Sequence, residues 1–306
     1  MDFNTWWHWK LLRLQRRFEE WRRNSKNLWR GVDYGYAMCS ECRALVPRGA
    51  RVCQSCGMRQ PLRLGGGLGK ALGAIGIREL SPNQLVCAFF LITYLISVFA
   101  TPGDPGLSKI LFGPDPRTLA RLGASFTPLV LAGQWWRWIT YLFLHGGLLH
   151  LFFNSYALMI VGPQVEAFFG RSRFYPLFLV CGTVSGAVSS MLRMANVVGA
   201  SGALFGLIGA MIVYGWRRGG TSGELLRRGF TTWAIYGLVF GFLVPNVDNV
   251  AHIAGLMTGL VLGFLFAEVR PASGEADRLW NLATAAGVVL TLASFGLAWR
   301  FFLLTL

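Results

Sequence analysis

Long apolar segments alternate with more polar ones beyond residue 82 of the chain, and the connecting segment over 102–146 is long. Seven segments approach the roughly 20 residues that a helix needs to cross the hydrocarbon core of a bilayer. They lie near residues 83–101, 147–165, 174–192, 201–216, 226–244, 251–267 and 282–303. Because several are short, we expect tilted helices or helix ends below the membrane surface. The pattern predicts an all-α polytopic membrane protein with seven transmembrane helices.

Three of the apolar segments begin with a polar residue sixteen positions before the next charge. The pairs are Ser201 and Arg217, His252 and Glu268, and His150 and Glu166. This spacing corresponds to roughly 24 Å of helix. Helices that run the same way would place the three polar residues at one depth, a few Å inside a core about 30 Å thick. A serine and two histidines at that depth indicate a nucleophile, a base and a hydrogen-bond donor.

Small residues follow both Ser201 and His252. A lone serine in a membrane helix is usually a packing residue, so a catalytic role has to be supported by the neighbouring residues. The small residues recur at every fourth position, as Gly202, Gly206 and Ala210 and as Gly255, Gly259 and Gly263. Two such faces let helix backbones approach until the Ser201 hydroxyl can reach the His252 ring. No acidic residue on the same helix is spaced to orient His252, which favours a dyad; Asp248 is expected to be a turn or cap residue.

His150 and Asn154 lie one helical turn apart and therefore share a face. Together with the backbone N–H of Ser201 they can form an oxyanion hole. Burial in lipid without partners would cost a few kcal/mol, so we expect both to face the bundle interior. His145 is expected to be structural. A metal site at His145 and His150 is the weaker alternative, because the spacing is i, i+5 and no His-Glu-x-x-His is present.

The composition supports a membrane protein and orients it. The chain is 54% hydrophobic and 14% charged, whereas soluble domains are about 25% charged. The net charge is +15, and 15 of the 29 Lys and Arg residues precede residue 80. With the N-terminus inside, the inner segments hold 23 of these residues and the outer segments 6. The positive-inside rule therefore predicts a cytoplasmic N-terminus and an outer C-terminus.

Residues 1–30 combine five tryptophans with eight basic residues. This pattern fits a basic amphipathic helix on the anionic inner leaflet of a membrane. It fits equally a solvated helix that packs on the neighbouring domain. The two arrangements stay open.

Residues 31–62 carry two Cys-x-x-Cys pairs, Cys39 with Cys42 and Cys53 with Cys56, separated by ten residues. Four thiolates at this spacing can close a tetrahedral Zn²⁺ site. Disulfides are the alternative, and a cytoplasmic location disfavours them. So short a segment cannot build a core, so the zinc would be structural. We predict a zinc ribbon, similar to those at the ends of many bacterial proteins, followed by a linker over 63–82.

Four separated motifs follow one another in the membrane part. They are Trp136-Arg137, His150-x-x-x-Asn154, Gly199-Ala200-Ser201-Gly202 and Ala251-His252-Ile253-Ala254-Gly255. The set and its order resemble the rhomboid intramembrane serine proteases. The resemblance covers residues 83–268, a core of six transmembrane helices, and a seventh helix in 269–306 resembles the six-plus-one form. It implies a rhomboid-like helix bundle with Ser201 as nucleophile, His252 as general base and acid, His150 and Asn154 as oxyanion donors, and no cofactor in catalysis.

The same resemblance gives roles to other positions. Arg137 and Glu166 are implied to be structural, and the fifth span with the loop 244–251 is implied to be the gate and cap of the site. The family often has tyrosine four residues after the serine, where this chain has Phe205. The ring is kept and the hydroxyl is lost, so we expect activity to survive.

These features predict an endopeptidase that cuts transmembrane protein substrates near the outer membrane face. The alternative is a catalytically silent rhomboid-like scaffold that binds membrane helices, but such relatives lack the serine or the histidine. A transporter would need inverted repeats, and none is apparent. The expected partners are substrate helices, membrane lipid and a cytosolic protein at the ribbon, with no nucleic acid. The expected location is a bacterial inner membrane.

Overall fold

The computed structural model describes residues 36–38, 44–47, 53–55, 80–103, 106–193, 196–266 and 274–305. The chain divides into two compact units, Met1–Leu80 and Ser81–Leu306. The predicted helix over 1–30 lies outside the described residues, as do Cys39, Cys42 and Cys56.

The first unit contains a short antiparallel hairpin. Strand β1 (Tyr36–Met38) pairs with β2 (Leu45–Pro47), with Ala37 opposite Val46. Val46 and Cys53 are buried together, with Ala44 packed against them. The hairpin therefore brackets the first Cys-x-x-Cys pair, and the second pair begins at a residue buried against β2.

The second unit is built of helices. In chain order they are α1 (Pro82–Ala100), α2 (Leu107–Phe112), α3 (Pro116–Leu122), α4 (Thr127–Leu131), α5 (Arg137–Thr140), α6 (Leu148–Phe169), α7 (Arg171–Arg193), α8 (Ser201–Arg218), α9 (Gly220–Leu243), α10 (Asn249–Phe266) and α11 (Gly274–Leu304). A 3₁₀ turn follows α5 at Tyr141–Phe143. Two-residue strands β3 (Ser125–Phe126) and β4 (Asn196–Val197) pair antiparallel, an irregularity that the apolar pattern did not predict.

Local sequence explains where the first helices begin. Ser81 and Gln84 form a capping box in front of Pro82, whose missing N–H is tolerated in the first turn of α1. Asp115 caps α3 by accepting hydrogen bonds from the backbone N–H groups of Arg117 and Thr118.

Five described helices are long and apolar enough to span a membrane, and the protein is an integral membrane protein. They are α1, α6, α7, α10 and, within α11, the stretch Arg278–Leu304. Helices α8 and α9 exist where the fourth and fifth spans are predicted, but both carry glycines and end or begin near arginines, which lowers their mean hydropathy. The prediction of seven spans therefore remains a prediction.

Helix α8 lies at the centre of the bundle, in contact with α6, α7, α9 and α10. All of its residues from Gly202 to Met211 are buried. Helix α1 packs on α6 and α7, and α11 packs on α7 and on the short helices α3 and α5. The helix that begins at Ser201 is thus shielded from the membrane on most of its surface.

The segment between α1 and α6 is held together by Arg137, whose side chain is fully buried. Its guanidinium donates to the backbone carbonyls of Ala120 and Ala124 at 2.5 and 2.8 Å and to the Gln134 side chain at 2.7 Å. The ring of Phe301, on α11, lies 5.0 Å below it. Burial lowers the pKa of Arg137 to about 10, so the residue stays charged at neutral pH and can tie the segment to the last helix.

Candidate active site

Helices α8 and α10 meet backbone to backbone along their predicted glycine faces. A methyl group on Gly255 would strike the carbonyl oxygen of Gly202, and one on Gly259 would strike that of Gly206. Farther along, a methyl group on Gly263 would lie 2.8 Å from the Cα of Ala210. The periodicity of small residues is therefore used for close helix contact, and it brings the beginnings of the two helices together.

Ser201 is the first residue of α8 and is only partly buried. The loop before it is shaped by Gly199, whose φ of +111° favours glycine. The N–H of Gly199 donates to the carbonyl of Tyr141 at 2.9 Å. A Cβ at Gly199 would lie 2.6 Å from the Nε2 atom of His150. The His150 ring thus packs directly on the backbone two residues before Ser201.

His252 is buried in the first turn of α10. Its ring stacks on that of Phe205, with the centroids 4.3 Å apart and an angle of 18° between the planes. A Cβ at Gly237, on α9, would lie 2.6 Å from the Cζ of Phe205. The Phe205 ring is therefore enclosed between the histidine and α9.

Asn249 fixes the hydrogen bonding of the His252 ring. The Asn249 Nδ2 donates to the carbonyl of Leu238 on α9 at 3.1 Å. This leaves the Asn249 Oδ1 to face the His252 Nδ1, 3.1 Å away. An oxygen acceptor there favours the tautomer with hydrogen on Nδ1, so that Nε2 is free to accept a proton. The sequence prediction considered only acidic orienting residues and did not include Asn249, although its position three residues before His252 on the same helix is a readable signal.

The two predicted dyad residues are close in the fold but not hydrogen bonded. Both lie in the described part of the chain, and no hydrogen bond joins the Ser201 hydroxyl to the His252 ring there. Nucleophile and base are often farther apart without substrate than in the reacting complex. The arrangement places them on adjoining helix ends whose backbones are in contact.

Asn154 is buried one turn after His150 and donates from Nδ2 to the carbonyl of His150 at 2.9 Å. Within the described part of the chain its Oδ1 has no hydrogen-bond partner. The amide nitrogen carries a second hydrogen, so Asn154 can donate to an additional acceptor without breaking this bond. His145 lies behind this pair, fully buried, with its ring 5.2 Å from that of His150 and 4.9 Å from that of Phe90.

Helix α7 anchors the start of α10 through two serines. The Ser185 hydroxyl donates to the carbonyl of Ala251 at 2.7 Å, and the Ser189 hydroxyl donates to the carboxylate of Asp248. Arg193 forms an ion pair with Asp248 at 3.3 Å. Asp248 also accepts from the N–H of Ala251 at 3.1 Å, so it is a cap residue rather than a partner of His252. The two serines were not singled out in the sequence because they lie inside an apolar segment.

One flank of the site is open. Helix α9 packs along α8 and α10 but has almost no contact with α6 over the described length of both helices. Phe153 on α6 and Tyr236 on α9 are largely exposed. Phe153 lies seven residues before Ile160 and Tyr236 three residues after Trp233, both of which line the gap between the two helices, so the helical period places them on the same faces.

The described residues include only one of the four predicted zinc ligands, so the structure does not test the zinc site. Among the described residues no three His, Cys, Asp or Glu side chains come close enough to hold a metal ion. Of the four predicted zinc ligands, only Cys53 belongs to that part of the chain. The zinc ribbon therefore stays a prediction.

The profile of the Rhomboid domain matches residues 132–269. RHOMBOID-like protein 5 of Arabidopsis thaliana is 38% identical over 193 residues, which cover 57% of each chain. Rhomboid protease GluP of Bacillus subtilis (strain 168) is 37% identical over 145 residues, 47% of this chain and 29% of that protein. Putative rhomboid protease YdcA of the same bacterium is 33% identical over 139 residues, 44% of this chain and 69% of that protein.

Proposed function

Because the chain belongs to the rhomboid family, we propose that it is an intramembrane serine endopeptidase with a dyad of Ser201 and His252. The observation that carries the proposal is the backbone contact between α8 and α10, which brings the helix starts that bear these two residues together. The contact leaves no space for a larger side chain at Gly255 or Gly259, so the relative position of the two helix starts is narrowly defined.

The hydrogen bonds around His252 support its role as a base. With hydrogen on Nδ1 facing Asn249, Nε2 accepts the Ser201 proton as Oγ forms a bond to the substrate carbonyl carbon. The same proton then passes to the leaving amine as the peptide bond breaks. Water hydrolyses the resulting ester and regenerates the serine.

The tetrahedral intermediate needs hydrogen-bond donors for its oxyanion. The backbone N–H of Ser201, the second N–H of Asn154 and the ring of His150 are the proposed donors. His150 fits this role because its ring packs on the loop that leads into Ser201, and Asn154 because one of its two hydrogens remains unused.

The proposed substrates are transmembrane proteins, cut near the outer face of the membrane. The seven predicted spans would place 23 basic residues on one side of the membrane and 6 on the other, a division that supports a cytoplasmic N-terminus and an outer position for Ser201. The opening between α6 and α9 offers a route by which a substrate helix can reach the site from the membrane.

Cleavage of a reporter transmembrane substrate by the purified full chain tests the dyad. Ser201→Ala and His252→Ala should each reduce cleavage by several orders of magnitude, since either loss disables the pair. Ser108→Ala, at an exposed serine on α2, is the matched control and should cleave like wild type. A fluorophosphonate probe should label wild type but not Ser201→Ala. Folded variants that cleave at the wild-type rate would contradict the proposal.

We also propose that Cys39, Cys42, Cys53 and Cys56 hold a structural zinc ion. The hairpin β1–β2 around the first pair and the burial of Cys53 support this. Full-length protein purified under reducing conditions should contain about one zinc per chain. Cys42→Ser should lose the metal, whereas Cys181→Ser, at a cysteine buried in α7, should retain it. A zinc content near zero in wild type would rule the ribbon out.

A further inference from the structure

A cavity of about 510 Å³ lies between α6 and α9. Its wall is mostly apolar and includes Val161, Phe168, Leu225, Phe230 and Trp233, whereas Gln164, Arg218 and Ser222 supply polar groups. Leu225 and Trp233 remain 67% and 40% exposed, so the cavity opens on the flank of the bundle. In a membrane that flank faces lipid.

The polar end of the cavity is far from the proposed dyad. Arg218, at the end of α8, is seventeen residues after Ser201, or roughly 25 Å along the helix. The residues of α6 that line it belong to the half that follows Asn154. The cavity therefore serves neither the nucleophile nor the base.

Glycines produce the cavity. Gly215 on α8 and Gly223 on α9 are in close contact, with a Cβ at Gly215 only 2.7 Å from the Gly223 carbonyl oxygen. This contact draws the start of α9 onto α8 and away from α6. Gly229 lines the cavity, and a Cβ there would have no neighbour within 4 Å. The space that Gly229 leaves empty is open to an occupant.

Arg218 stands at the polar end of the cavity with unused donors. Its guanidinium lies 5.6 Å from the ring centre of Phe168, and no carboxylate of the described residues is paired with it. Two nearby arginines are already engaged. Arg217 donates to the carbonyl of Phe264 at 2.6 Å, and Arg228 pairs with Glu224 at 2.6 Å.

We propose that this cavity binds one anionic phospholipid, with an acyl chain on the apolar wall and the phosphate on Arg218 and Ser222. The volume falls within the range of about 300–1,000 Å³ that is usual for ligand sites. It suits an acyl chain better than a substrate helix, because a helix about 10 Å across would fill it with roughly one turn. An unpaired arginine selects a negatively charged headgroup over a zwitterionic one.

Native mass spectrometry of the delipidated full chain tests the proposal. Phosphatidylglycerol and phosphatidylcholine with identical acyl chains are titrated separately. Wild type should retain one phosphatidylglycerol and prefer it by about fivefold, the effect of one arginine near an anionic headgroup. Arg218→Gln should reduce phosphatidylglycerol binding to the level of phosphatidylcholine. Arg228→Gln removes an equal charge that is already neutralised, and it should bind like wild type.

A second variant tests the acyl-chain part. Gly229→Leu should weaken the binding of both lipids because its side chain occupies the cavity, and it should fold because leucine favours a helix more than glycine does. Phosphatidylglycerol should raise the melting temperature of wild type but not of this variant. Equal affinity of wild type for the two lipids, or wild-type binding by both Arg218→Gln and Gly229→Leu, would overturn the proposal. Displacement of the lipid by a substrate transmembrane peptide would instead assign the cavity to substrate.

Discussion

The contact between α8 and α10 and the opening between α6 and α9 differ in how closely the helices approach each other. In the first, glycines let two backbones touch, and a single methyl group has no space. In the second, large apolar side chains such as Phe153 and Tyr236 lie exposed, and the helices scarcely meet. The difference indicates that close packing holds the two helix starts that bear the proposed dyad, whereas the open flank leaves space that membrane components can occupy.

The largest effect is expected from adding a side chain to the α8–α10 contact, where no space is left for one. Gly255→Ala places a methyl group against the Gly202 carbonyl oxygen, a backbone atom that cannot turn aside. We expect a loss of stability at or above the roughly 3 kcal/mol upper end of ordinary overpacking. Cleavage should fall about 100-fold, since small misplacements of reacting groups have that cost. Thermal unfolding and reporter cleavage measure the two effects.

Gly296→Ala is the control for this prediction. Gly296 lies on α11, and a Cβ there would meet nothing within 4 Å. The same substitution should therefore stabilise the helix by about 0.5–1 kcal/mol. Equal melting temperatures for the two variants would show that the α8–α10 contact is not close.

A smaller effect is expected from Asn249→Leu, which removes the acceptor for the His252 Nδ1. The kcat should fall roughly tenfold, while KM changes little. This loss is smaller than the rate enhancement of about 10²-fold to 10⁴-fold that a general base contributes. Asn249→Asp keeps an oxygen acceptor and should retain more activity than Asn249→Leu. If both variants keep the wild-type kcat, Asn249 does not orient the histidine.

Phe205→Tyr tests the contact between α8 and α9 at the site, where the Phe205 ring packs on Gly237. The Cζ of Phe205 faces Gly237, where even a Cβ would be 2.6 Å away. A hydroxyl on this carbon needs α9 to move outwards, so we expect about 1–3 kcal/mol of destabilisation with activity retained. Phe240→Tyr, at an exposed position on α9, should leave the melting temperature unchanged. A stabilised Phe205→Tyr would show that space exists beside the ring.

The smallest effect is expected on the open flank. Tyr236 is 71% exposed, so Tyr236→Ala should change the stability by less than about 0.5 kcal/mol. Removal of a whole aromatic ring there should thus matter less than one added methyl group at Gly255. A melting temperature that falls as far as that of Gly255→Ala would remove the distinction between the two regions.

Patterns with a fixed period were the most informative part of the sequence. The recurrence of small residues at every fourth position predicted which faces of α8 and α10 meet, because only glycine and alanine permit such an approach. The sequence prediction did not include Asn249, because it considered only charged side chains as orienting residues. An amide can do the same task without charge when its own orientation is fixed, here by the Leu238 carbonyl.

Tertiary contacts between residues that are far apart in the sequence could not be predicted. Arg137 bonds to the carbonyls of Ala120 and Ala124 and lies over Phe301, yet no sequence pattern pairs an arginine with particular carbonyls or with a ring on the last helix. Likewise, the serines at 185 and 189 read as part of an apolar segment until the structure shows their bonds to α10.

Helix α8 starts at Ser201 without a side-chain cap. Its aligned peptide dipoles therefore leave about half a positive charge at the helix start, next to the proposed nucleophile. A full cation buried at this depth would be costly in the membrane. In the proposed mechanism the backbone itself can balance the negative charge that develops on a substrate carbonyl, without a charged side chain at this depth.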